Sequence, residues 1–106
     1  MPFTTAYIAR SPDADPARHR GVVETGLSTL HTVIVRDQEQ ALAVARELVE
    51  EHGVCALTLC PGHSNQEVGE IAAAAGAGVS VSVARGDPAG GPVVARAMEE
   101  AGWPRA

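Results

Sequence analysis

The sequence predicts a single α/β domain spanning residues 1–106, built as a three-layer sandwich with a four-stranded parallel sheet between helices. Three observations carry this. Four short segments rich in β-branched residues alternate with helical patterns, which implies right-handed parallel crossovers. The chain is 45% hydrophobic with only 3% aromatics, so its core must be assembled from Val, Ala, Leu and Ile. Two helix starts carry a capping-box signature. Counting the predicted strands from 1 to 4, the expected order is 2-1-3-4, flavodoxin-like, with an edge variant as the alternative.

The first strand is "FTTAYIAR" (3–10). After it, Asp15 followed by Pro16 has the form of an N-cap with proline at the first helical position, which predicts a short helix through about Glu24. Gly21 weakens that helix. The second strand is "TLHTVIVR" (29–36). Asp37 and Gln40 then open a helix that places Ala41, Leu42, Val44, Ala45, Leu48 and Val49 at helical spacing and stops at Gly53. The third strand is "VCALTLC" (54–60), and Ser64 with Glu67 starts the next helix, which ends at Gly76. The fourth strand is "VSVSVA" (79–84). "GDPAGG" leads from it to Pro92, in the first turn of a helix whose stripe Val94, Ala97, Met98 and Ala101 is closed by Gly102.

Composition narrows the function classes. The net charge is -5 and the eight basic residues, all arginine, are scattered, so neither nucleic acid nor an anionic membrane is an expected partner. No apolar run is long enough to span a bilayer and the N-terminus lacks the pattern of a signal peptide, which predicts a cytoplasmic protein. Cys55 and Cys60 are the only cysteines, and they lie at odd separation on one predicted strand. Their side chains should point to opposite faces as free thiols, with Cys55 buried and Cys60 at the loop end.

In an open, doubly wound sheet, ligands bind beyond the carboxyl ends of the strands where the order reverses. Here that crevice would lie between strands 1 and 3, walled by "RSPDADPARHR" and "CPGHSN" and flanked by "RGDPAGG". Topology would therefore gather Arg10, Asp13, Asp15, His19, Cys60, His63 and Arg85. Cys60 could face the positive end of a helix dipole, which favours thiolate, or be a small buried hydrophobe. His63 could move protons near neutral pH, or be an exposed residue at a helix start. His19 fits either chemistry or half-buried packing. Asp15 is most simply a cap, and Asp13 a turn former. Glu24, at the end of the predicted first helix, opposes the dipole there and so gains weight as a hydrogen-bonding residue. Gly62 and Ser64 complete the corner as ligand-binding candidates. A metal is not expected, because C-P-G-H is a lone pair of ligand types without a second pair at zinc spacing. "GDPAGG" lacks the pattern of a nucleotide-phosphate loop, and no cofactor is expected.

The phrases "DADPARHRGVVET", "EQALAVARELVEEHGV" and "LTLCPG" resemble a family of short bacterial proteins known only as domain of unknown function 6506, over roughly residues 3 to 84. The resemblance implies one α/β domain with no activity attached. It singles out Asp15, Pro16, His19, Glu24, Cys60 and Gly62. The chain departs from the pattern at Pro61, where the family tends to glycine, and from Arg85 onward.

Three functions are compatible with these residues. The first is a small cofactor-independent enzyme, an isomerase, lyase or cyclase acting on a carbonyl- or carboxylate-bearing metabolite. His63 and His19 would move protons, Cys60 would be donor or nucleophile, and helix N-termini would hold the anionic oxygen. The second is a non-catalytic module that binds a small molecule or a partner. The third is a thiol-based redox protein, although no C-x-x-C motif is present. The two open edges of a four-stranded sheet favour a homodimer.

Overall fold

The structure, a computed structural model, describes residues 1–104, so the last two residues of the predicted 1–106 domain lie outside the described residues. The elements are β1 (Phe3–Arg10), β2 (Arg20–Glu24), β3 (Ser28–Val35), α1 (Gln38–His52), β4 (Ala56–Leu59), α2 (Asn65–Ala75), β5 (Ser80–Val83) and α3 (Gly91–Glu100). They form one α/β domain around a five-stranded, mostly parallel sheet in the order β2-β3-β1-β4-β5. Count and order thus differ from the expected four-stranded 2-1-3-4 sheet. The additional strand, β2, runs antiparallel to β3, whereas β1 pairs in parallel with both β3 and β4.

β2 occupies the segment expected to be helical. Asp15 does act as a cap, its carboxylate accepting from the Ala17 N–H, but only a turn follows. Gly21, Val22 and Val23 are poor helix formers and the two valines are good strand formers, so "RGVVE" pairs with β3 once a partner edge is available. The reversal between them is held by Thr25, whose N–H donates to the Ser28 carbonyl and whose hydroxyl accepts from Leu27 and Ser28.

The α1 and α2 starts form where their caps predicted them. Asp37 accepts from the Gln40 N–H, but the Gln40 side chain reaches back to the Arg36 N–H, one residue beyond a standard box. Ser64 and Glu67 make the complete capping box. Gly53 closes α1 at a φ of 69°, a left-handed conformation that suits glycine.

The layering differs from expectation. One side of the sheet packs on α1 and α2, burying Ile8, Val33 and Leu59 against Leu48 and Ile71. The opposite side bears no helix. Its alternating residues, including Tyr7, Thr32 and Thr58, are exposed or half-buried. The domain is therefore two layers rather than a three-layer, flavodoxin-like sandwich. The reason is that β1 reaches β3 through a turn and the β2 hairpin, so no crossover helix is laid on that side. α3 contributes no buried residue to the core.

Candidate active site

The parallel pairing of β1 with β4 brings Cys60 beside the Ala9–Arg10 backbone at the carboxyl edge of the sheet. Immediately after β4, the sequence Cys60-Pro61-Gly62-His63 turns into α2. Its first bond runs from the His63 N–H to the Cys60 carbonyl, which brings the imidazole back over the strand end. His63 Nδ1 then lies 3.6 Å from Cys60 Sγ and 3.1 Å from the Cys60 carbonyl oxygen. His63 is buried, with 7% of its surface exposed, rather than an exposed helix-start residue. Its Nε2 is also buried and has no hydrogen-bond partner among the described residues.

The sulfur sits in a set of donors. Burial pushes the Cys60 thiol up, but the His63 hydrogen bond, the backbone N–H groups of Gly62 and Arg10, and the His63 charge together bring its pKa below the ordinary value. His63 moves the opposite way. Its bond to Cys60 raises its pKa, against burial, and the Cys60 carbonyl and thiolate add to the rise. Each partner stabilises the charged form of the other, so the couple tends toward thiolate and imidazolium. A Cβ on Gly62 would come to 3.5 Å from the sulfur, an ordinary van der Waals contact, so the backbone here passes close to the sulfur without requiring glycine.

The corner is anchored from the helix side. The Arg10 guanidinium bonds Glu67 and Gln38, each at 2.9 Å, while Glu67 also accepts from the Ser64 N–H at 2.8 Å. Gln38 in turn donates to the Glu67 carbonyl. Arg10 and Ser64 therefore hold the start of α2, and with it the Cys60–His63 turn, rather than facing the thiol with their side chains.

The remaining expected site residues are spread out. His19 stands beyond β3, where its carbonyl accepts from Ile34 and its Nδ1 accepts from the Asp15 N–H, so it does not join Cys60 and His63. Asp13 is exposed and accepts from the Ser11 hydroxyl, which lowers its pKa first among several influences. Arg85 pairs with Asp87 on the surface after β5. Glu24 ends β2, opposite Thr29 at the amino end of β3, at the far side of the sheet from the corner. The expected clustering thus shrinks to Cys60, His63, Gly62 and the Arg10 backbone.

Tyr7 was missed. By strand alternation it shares the open face with Cys60, and burial followed by the Cys60 charge pushes its pKa up. The register gives the signal: Tyr7 pairs with Thr58, two residues before the cysteine. Cys55 was misjudged in the other direction. It precedes β4 and is exposed, its thiol 3.5 Å from the Thr4 carbonyl. Both thiols are free.

Two cavities lie along these elements. One of about 480 Å³ lies between the 15–20 turn and α1, lined by Pro16, Arg20 and Glu47, away from the thiol. The other, about 430 Å³, opens between Pro61 of the corner and Val94 and Met98 of α3. Among the described residues no group of three or more His, Cys, Asp or Glu side chains could hold a metal ion. No helix among the described residues is long and apolar enough to cross a membrane.

Fold and corner together define a small α/β protein with a hydrogen-bonded cysteine–histidine pair at the carboxyl edge of a mostly parallel sheet. The chain belongs to a family of unknown function, DUF6506, whose model matches residues 3–99. That match runs past residue 84 and takes in most of α3. No curated protein and no solved structure matches the chain.

Proposed function

We propose that the chain is a small cofactor-independent enzyme that uses Cys60 and His63 for acid/base chemistry on a carbonyl- or carboxylate-bearing metabolite. Isomerase, lyase and cyclase reactions share the required step. A proton leaves the carbon beside the carbonyl for Cys60 Sγ, and the C–H electron pair moves onto the carbonyl oxygen as an enolate. Return of a proton to another position completes an isomerisation, and expulsion of a leaving group completes an elimination. The His63 imidazolium keeps the sulfur ionised before the step, and once it has given its own proton to the enolate oxygen the neutral ring can take the proton from the Cys60 thiol. Tyr7, held as the neutral phenol by its raised pKa, is the available hydroxyl donor on the same face.

The observation that carries this reading is the 3.6 Å approach of Cys60 Sγ and His63 Nδ1, with opposed pKa shifts, at a strand end. Here the backbone donors of the corner face the sulfur, so they favour a thiolate over an oxyanion hole. A redox role is less well supported, because Cys55 and Cys60 flank β4 at opposite ends, roughly 16 Å apart for an extended segment. A binding module keeps one supporting feature, the apolar cavity beside Pro61.

Proton exchange separates the two. Incubated in D₂O with a panel of small keto acids and hydroxy acids, the protein should catalyse deuterium incorporation beside the carbonyl, and Cys60→Ser or His63→Asn should lower that rate on the order of a hundredfold. A metabolite that binds, by ligand-observed NMR, without any exchange would reassign the crevice to binding alone.

A further inference from the structure

Two surfaces of this chain expose apolar side chains without a covering element. The first is the helix-free face of the sheet. Phe3, Tyr7, Val23, Leu30 and Ile34 lie on it among threonines and serines, and no strand residue pointing that way carries a charge. In a chain of net charge -5 this neutral face is a place where two copies can meet without like-charge repulsion. The second is α3. Its Val93, Val94 and Met98 are 70%, 52% and 39% exposed, and they share an arc with Ala97 and Ala101 that excludes Arg96, Glu99 and Glu100. A 10-residue helix is too short to hold its shape in water by propensity, so packing must stabilise it.

We infer that the protein is a homodimer in which a second copy covers the open sheet face and the apolar arc of α3 lies within the seam. The partner then supplies the third layer that a sheet with one bare side lacks. The areas agree. Five strands about 4.8 Å apart and about six residues long give a face of roughly 24 by 20 Å, and α3 adds roughly 150 Å² more. The sum, on the order of 600 Å² in projection, is near the ~800 Å² of accessible surface per partner in a stable interface. The covered face includes Tyr7, so the partner would also lie over the side of the sheet on which the proposed chemistry takes place, but the inference rests on exposure and area rather than on that chemistry.

Sedimentation velocity on the full chain tests it, with Val94→Glu on α3 and Thr32→Glu on β3 as variants. Both side chains are exposed in the single copy, so circular dichroism should remain that of the folded domain. Wild type should sediment as a dimer at micromolar concentration, and each variant should weaken the dimer by tenfold or more. A monomeric wild type would overturn the proposal and leave these surfaces to a different partner. A dimer that both variants leave intact would place the interface elsewhere and overturn it equally. If a variant loses its helical signal, Arg96→Glu on the charged side of α3 serves as the matched control, expected to stay folded and dimeric.

Discussion

Glu67 ties the start of α2 to the end of β1 through one carboxylate. It accepts from the Ser64 N–H and from Arg10, and its own N–H is bound by the Ser64 hydroxyl. The Ser64 backbone bond, against burial and with help from Arg10, holds its carboxyl below the ordinary value of 4.5. A carboxylate with a depressed folded-state pKa stabilises the fold above its unfolded value, and that contribution is lost as pH falls through the lowered one. Glu47, lowered first by its bond to Arg20, acts in the same direction. Melting temperature should therefore drop as pH is taken from neutral to about 3, and Glu67→Gln should flatten part of that drop. An unchanged acid profile in the variant would count against the anchoring role. Cys60→Ser should cost under about 1 kcal/mol in denaturant unfolding, because a hydroxyl can accept the donors that surround the sulfur. A larger loss would make the cysteine a packing residue.

Among the elements, α1 stabilises the domain most directly, since Ala41, Ala45 and Leu48 are fully buried on the sheet. Leu48→Ala should cost about 2–5 kcal/mol, read from chemical denaturation. β2 is the opposite case. All five of its residues are exposed and it pairs on one side only, so its amides should exchange with solvent well before those of β1 and β4. Equal protection of β2 and β1 would mean that its edge is covered. The same contrast explains what was legible. The α1 and α2 starts could be read because Asp37 and Ser64 act within three residues of their partners. β2 could not, because Asp15-Pro16 gives a local helix signal while the pairing of Val22 with His31 is a long-range event. Local propensity lost to an available strand edge.

At the scale of the molecule, the sequence carried the idea that strand ends meet, and the parallel pairing of β1 with β4 gives it substance at Cys60. What it lacked was the path of the first connection. A crossover helix after β1 would have swung His19 and Asp15 toward the crevice, whereas the turn and hairpin carry them past β3 to the other side. Tyr7 was hidden for a related reason, since only the register of β1 against β4 reveals its neighbour. The corner that remains rests on a single electrostatic claim, that Cys60 and His63 charge one another. The measurement that reaches it is the rate of iodoacetamide alkylation of Cys60 against pH, in a Cys55→Ser background that removes the exposed thiol. The thiolate should titrate below the ordinary 9.0, and His63→Asn should move the midpoint back toward that value. A midpoint at or above 9.0 in the parent, or one that His63→Asn leaves in place, would contradict the account.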